Sequence, residues 1–183
     1  MTVKEFMTLG KLVPDIDMSE RLNRLKKPYS VCKVKTPETL NDLNMGELMQ
    51  LQSITTDSDF IFTPGMVILH LSERKLLKVD SEIVLGFSYW VAKEVKRINK
   101  LFASTSVPPT PEEQQAGADS LNFGLFGLLD YYAQRMGITN HEEVEKVPWV
   151  RVYKCLDMDA NRMRYERRLR NIMAKKNESR RKN

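Results

Sequence analysis

The chain has little of what chemistry usually requires. It holds only two cysteines, Cys32 and Cys155, and two histidines, His70 and His141, in 183 residues. The cysteines are far apart and share no motif, so a disulfide framework or a zinc site lacks its ligands. The Asp57/Asp59 and Asp157/Asp159 pairs read as turn and cap aspartates rather than metal ligands. No glycine-rich phosphate loop or nucleophile elbow occurs. No catalytic residue, metal or cofactor is therefore expected, and the chain reads as non-enzymatic. The N-terminus lacks the apolar run of a signal peptide. The run Leu121–Leu129, broken by Asn122, falls far short of the roughly 20 residues that span a bilayer. A soluble, cytoplasmic protein with no membrane partner is the expectation.

The net charge of +5 is unevenly placed. Between Arg162 and Asn183 stand ten basic residues and two acidic ones, a net +8, which leaves about −3 for the rest. Basicity thus belongs to the end of the chain. Arg162, Arg164, Arg167, Arg168 and Arg170 open this basic segment. It can attract nucleic acid or an acidic protein. It has no interleaved aromatics beyond Tyr165, so nucleic acid is the less favoured partner.

Hydrophobic spacing and end signals predict a mainly α fold: a compact bundle of five to seven helices, at most a minor strand pair, then a basic C-terminal helix and tail. Residues 2–12 read as a short helix limited by Pro14. The alternation from Tyr29 to Val34 reads as a strand. Asn44 and Glu47 form an N-cap and its acid for a helix to about Ile54, with Met45, Leu48 and Leu51 inward. Thr63-Pro64 reads as the start of another short helix, with the apolar run Met66 to Leu71 as a buried element that a strand would also fit. From Ser81 to about Phe102, Val84, Phe87, Trp90, Val91, Val95 and Ile98 recur at three- and four-residue steps.

Thr110-Pro111-Glu112-Glu113 is a strong helix start, and the helix is expected to run to Met136 with Gly137 as its left-handed cap. Ala116, Ser120, Gly124 and Gly127 would then line one face. Thr139 and Glu142 suggest a capping box for a helix to Lys146. Pro148 would open a helix over 148–156, and Asp157 or Asp159 would cap a last one fading near Lys176. In domain terms, 1–36 is an N-terminal helix and irregular segment, 37–176 a helical domain, and 177–183 a flexible basic tail. Ten methionines suit gap-filling in a core or an adaptable apolar surface. Trp90, Phe123, Phe126 and Trp149 are the candidate partner-binding anchors, because large aromatics dominate such contacts.

The order of signals over 110–170 resembles that of tail assembly chaperones of long-tailed bacteriophages, especially in prophages of gut Bacteroidetes. The resemblance rests on Glu112-Glu113, Ala116-Gly117, Leu121, the run Phe123-Gly124-Leu125-Phe126-Gly127-Leu128-Leu129-Asp130, Arg135-Met136-Gly137-Ile138, His141-Glu142-Glu143-Val144, Val147-Pro148-Trp149, and Leu156-Asp157-Met158-Asp159 leading into the basic helix. The segment Leu40 to Leu48 is similar to the openings of such small helical proteins. The resemblance implies a chaperone in the host cytoplasm that binds the helical tape measure protein and hands it to tail tube subunits. A structural virion protein, a head–tail connector or tail completion subunit, is the alternative use of the same helices.

Overall fold

The computed structural model describes residues 1–12, 23–121 and 123–182. Among them stand nine α-helices, one 3-10 turn and one two-stranded antiparallel sheet. The fold is mainly α with a minor strand pair. The helix count exceeds the five to seven expected, because several connections contain a single helical turn. Pro14, the expected stop of the first helix, lies outside the described residues. The chain forms two compact units, residues 1–98 and 99–183. Their boundary falls inside one helix and within the stretch expected as a single helical domain.

The first unit begins with α1 (Val3–Leu12). Its start is tied to the segment before a later helix: Val3 N–H donates to Val79 O at 2.9 Å and Ser81 N–H to Met1 O at 2.9 Å. The N-terminal ammonium lies 3.2 Å from Asp80. The Asp80 carboxyl also accepts from Glu82 N–H, and that bond, followed by the ammonium, holds its pKa low.

The expected strand over 29–34 is a hairpin instead. β1 (Ser30–Val31) pairs with β2 (Val34–Lys35) across Cys32 and Lys33, whose φ angles are 48° and 66°. Two positive φ values make the two-residue turn whose twist matches antiparallel strands. It usually carries Asn-Gly, which is why Cys-Lys gave no turn signal.

Helix α2 (Met45–Gln52) has the expected capping box: Asn44 and Glu47 exchange side chain–backbone bonds at 2.8 and 2.9 Å. Met45, Leu48 and Leu51 are buried, as their spacing requires. Helix α3 (Asp57–Leu69) corrects the start expected at Thr63-Pro64. Its N-cap is Thr56, and Pro64 lies inside it. A buried proline inside a helix leaves one carbonyl without its usual donor; seven apolar or aromatic residues out of thirteen let packing outweigh that loss. Helix α4 (Glu73–Leu76) is one turn.

Helix α5 (Ser81–Ser104) is the longest of the unit and the clearest in the sequence. Val84, Phe87, Val91, Val95 and Ile98 are buried along it. Gly86 is there because space is short: a Cβ would lie 2.6 Å from the Lys26 carbonyl oxygen. Residues 99–104 of α5 belong to the second unit.

In the second unit, α6 (Pro111–Gln115) starts with a complete Thr110/Glu113 capping box but ends after five residues. The helix expected over 111–136 does not form in one piece. Gly117 and Gly124 have φ of 89° and 56°, and a 3-10 turn (Ala118–Ser120) lies between them. Left-handed backbone is cheap only for glycine, and it ends α-helical geometry. The face of Ala116, Ser120, Gly124 and Gly127 is therefore not a continuous helix face. Helix α7 (Gly124–Met136) follows, with Gly137 as its left-handed cap at φ 67°.

Helix α8 (His141–Glu145) is capped by Asn140, one residue after the expected Thr139. Helix α9 (Trp149–Lys182) is continuous for 34 residues. The break expected at Asp157 or Asp159 is absent, because Asp159 accepts from the Tyr131 hydroxyl and the Arg135 guanidinium instead of capping a helix. Residues 177–182 continue the same helix. The core of this unit gathers around Trp149, whose indole packs 6.0 Å from the Phe102 ring and 6.3 Å from Tyr153 between centroids. Leu129, Tyr132, Val144 and Val152 are buried with it.

Candidate partner-binding surface

The break between α6 and α7 turns apolar side chains outward. Leu121 is 66% exposed, Phe123 67% and Phe126 61%, with Leu125 also exposed. Single exposed apolar residues need no explanation, but four within six positions make this stretch the candidate interaction site. Gly127 shapes it: a Cβ there would meet the Phe123 Cβ at 2.7 Å, so glycine lets Phe123 fold back over the first turn of α7.

Phe126 lies against the His141 ring, 4.9 Å between centroids, and His141 Nε2 lies 3.3 Å from Asp130 Oδ1. His141 opens α8, whose first turn carries exposed Glu142 and Glu143. From 110 to 145 the chain holds seven acidic residues and one basic one, Arg135. Through His141, the exposed acids Glu142 and Glu143 adjoin the Phe126 end of this stretch.

The four expected anchors divide. Phe123 and Phe126 stand together at this surface. Trp149 is 2% exposed and packs in the core of the second unit, which removes it from any contact surface. Trp90 lies in the first unit, half-buried, with Phe87 stacked 5.8 Å away and the Lys27 ammonium 4.1 Å from its ring. Leu121 and Leu125 complete the patch; their apolar character alone could not separate them from core leucines, and the left-handed glycines at either side were the available signal.

The basic residues are of two kinds. Arg164 donates to Ser104 O at 2.7 Å and Ser106 O at 3.1 Å. Arg167 donates to Pro108 O and pairs with Glu113 at 2.8 Å. These two fasten α9 to the 104–113 segment. From Arg168 to Arg180 every residue is exposed. Within that helix, Tyr165, Leu169, Ile172 and Met173 fall on one side at three- and four-residue steps, all exposed.

Elsewhere, a depression of about 610 Å³ lies between α2 and α3, lined by Glu47, Gln50, Ile54, Thr63, Met66 and His70 among others. Glu47 is committed to the Asn44 cap, and the lining Asp59 accepts from Thr56 at 2.7 Å. Its carboxylates serve helix ends. Both cysteines are free. Among the described residues, no group of three or more metal-ligating side chains gathers, and no helix is long and apolar enough to cross a membrane.

No protein-family model matches the chain, and neither a curated protein nor a solved structure matches it.

Proposed function

We propose that the protein is a non-enzymatic binding protein that covers apolar segments of a partner through the Leu121/Phe123/Leu125/Phe126 patch. The observation that carries this reading is the exposure of two phenylalanines, each more than 60%, held in place by a glycine-broken helix start. Two aromatic rings a turn apart suit an amphipathic helix laid across them, the helix-in-groove mode. In the finer form of the proposal, the client is the helical tape measure protein of a long-tailed phage, and the chain acts as a tail assembly chaperone that yields it to tail tube subunits. That form rests on the resemblance over residues 110–170.

The test is mass spectrometry of purified particles against the lysate that produced them. An assembly chaperone is abundant in the lysate and missing from the particle. A fixed copy number in the particle makes the chain a structural subunit, a connector or completion protein, and ends the chaperone reading.

A further inference from the structure

The second unit carries two complementary surfaces, and among the described residues no hydrogen bond, ion pair or ring contact joins them within the chain. One is the exposed apolar stretch around Phe123 and Phe126, with the acidic first turn of α8 beside Phe126. The other is the free half of α9, where Tyr165, Leu169, Ile172 and Met173 form an apolar stripe. Arg168 and Lys176 stand four residues before and after Ile172, on the same side of the helix. The side of α9 bearing Arg164 and Arg167 is occupied by the 104–113 segment, and the stripe lies away from it. Helix α9 is thus anchored at its base and presents a cationic, apolar face beyond.

We infer that this face docks on the Phe123/Phe126 stretch and the adjoining Glu142/Glu143 turn of a second copy of the same chain. Charge selects that occupant. Two α9 helices facing each other would oppose Arg168 and Lys176 to their own copies, and like charges directly opposed disfavour such a pair. Two copies of the patch would set Glu142 and Glu143 against their own copies in the same way. Stripe against patch satisfies both: apolar side chains meet apolar side chains, and Arg168 and Lys176 approach the Glu142 and Glu143 side. When each copy gives its helix and receives one, the contact closes as a dimer; when it does not close, it builds a ring or filament. The inference concerns the same patch as the proposed client site but stands whatever the client is, and it makes the second copy's helix a competitor for that site.

The test uses the full chain in sedimentation velocity and light scattering at low and high salt, with two charge-reversed variants, Arg168→Glu/Lys176→Glu and Glu142→Arg/Glu143→Arg. All four positions are exposed, so an unchanged helical circular dichroism spectrum is expected for both. The wild type should self-associate, and its association should weaken as salt screens the exposed charges. Each variant alone now faces like charge with like, and association should fall on the order of tenfold or more. Mixing the two variants restores both complementary contacts and should restore the assembly. A wild type that stays monomeric at low salt, an assembly indifferent to both reversals, or a mixture that fails to reassemble overturns the inference. Sedimentation without any client reads this association alone, so its failure leaves client capture as a separate result.

Discussion

Arg167 grips Glu113 with one nitrogen on both carboxylate oxygens, Nη2 to Oε2 at 2.8 Å and to Oε1 at 3.1 Å. Another nitrogen of the same guanidinium donates to the Pro108 carbonyl. One side chain therefore joins the middle of α9 to the start of α6 and to the proline-rich turn before it. Glu113 is also the acid of the Thr110 capping box, with Oε2 accepting from Thr110 N–H at 2.7 Å. The ion pair and the cap share a carboxylate, so each holds the other's geometry.

Arg167→Ala should therefore loosen the 104–113 segment more than it lowers global stability. Glu113 is half exposed, and exposed ion pairs contribute about 0–1 kcal/mol. Faster amide hydrogen exchange at Thr110 and Gln114, with a melting temperature close to wild type, is the expected pattern. Unchanged exchange there would show that the cap holds without the arginine.

Tyr131 and Asp159 make the second unit's stability depend on pH at both ends. Burial, then the hydrogen bond to Asp159, then the aspartate's charge push the Tyr131 phenol up to about 12. The same hydrogen bond, helped by Arg135, holds the Asp159 carboxyl below its ordinary value. A depressed carboxylate pKa stabilises the fold above the unfolded pKa of about 4, and this is lost as pH falls through the folded value. A raised phenol pKa stabilises below about pH 10 and is lost as pH rises through about 12. In Asp159→Asn, ultraviolet titration should show one tyrosine ionising at lower pH than in wild type, though still above 10, because the burial contribution stays. An unmoved titration curve would remove Asp159 as a cause.

Trp149→Ala and Phe126→Ser should separate core from surface. Trp149 is buried against Phe102 and Tyr153, and truncating a buried aromatic costs about 3–5 kcal/mol. Phe126 is largely exposed, so its replacement should leave thermal unfolding within about 1 kcal/mol of wild type. Collapse of the Phe126→Ser fold would make that residue part of the core after all.

Gly86→Ala should destabilise the first unit although alanine is the better helix former. The added methyl would sit 2.6 Å from the Lys26 carbonyl oxygen, an atom of the backbone that cannot swing aside as a side chain can. Equilibrium denaturation should register a loss of about 1–3 kcal/mol, the scale of overpacking. A gain, as helix propensity alone would give, would mean that the 23–26 segment moves away freely.

The fold was legible where local chemistry decides it. Asn44/Glu47, Thr110/Glu113 and Gly137 announced helix ends because capping satisfies backbone groups within four residues. The apolar period from Val84 to Ile98 announced α5 because one long face is buried. What misled was local chemistry used for something distant. Asp157 and Asp159 look like caps, yet Asp159 serves Tyr131, 28 residues away. Pro64 looks like a start, yet Thr56 supplies the cap and packing tolerates the proline. Around Gly117 and Gly124 the density of apolar residues masks two left-handed positions, so the pattern alone does not show the outward turn of Leu121 and Phe123, though residue type points to Phe123 and Phe126. Trp149 shows the limit of residue type alone: an indole suits a core and an interface equally, and here the core has it.

The most direct test of the central claim, that the Phe123/Phe126 patch covers a client's apolar segments, is coexpression with a tail tape measure protein. The measured quantity is the fraction of that protein recovered soluble and bound to this chain. With the wild type, the client should be soluble and copurify; with Phe123→Ser/Phe126→Ser, folded by circular dichroism, it should precipitate alone. A client equally soluble and equally bound with the double variant would contradict the account.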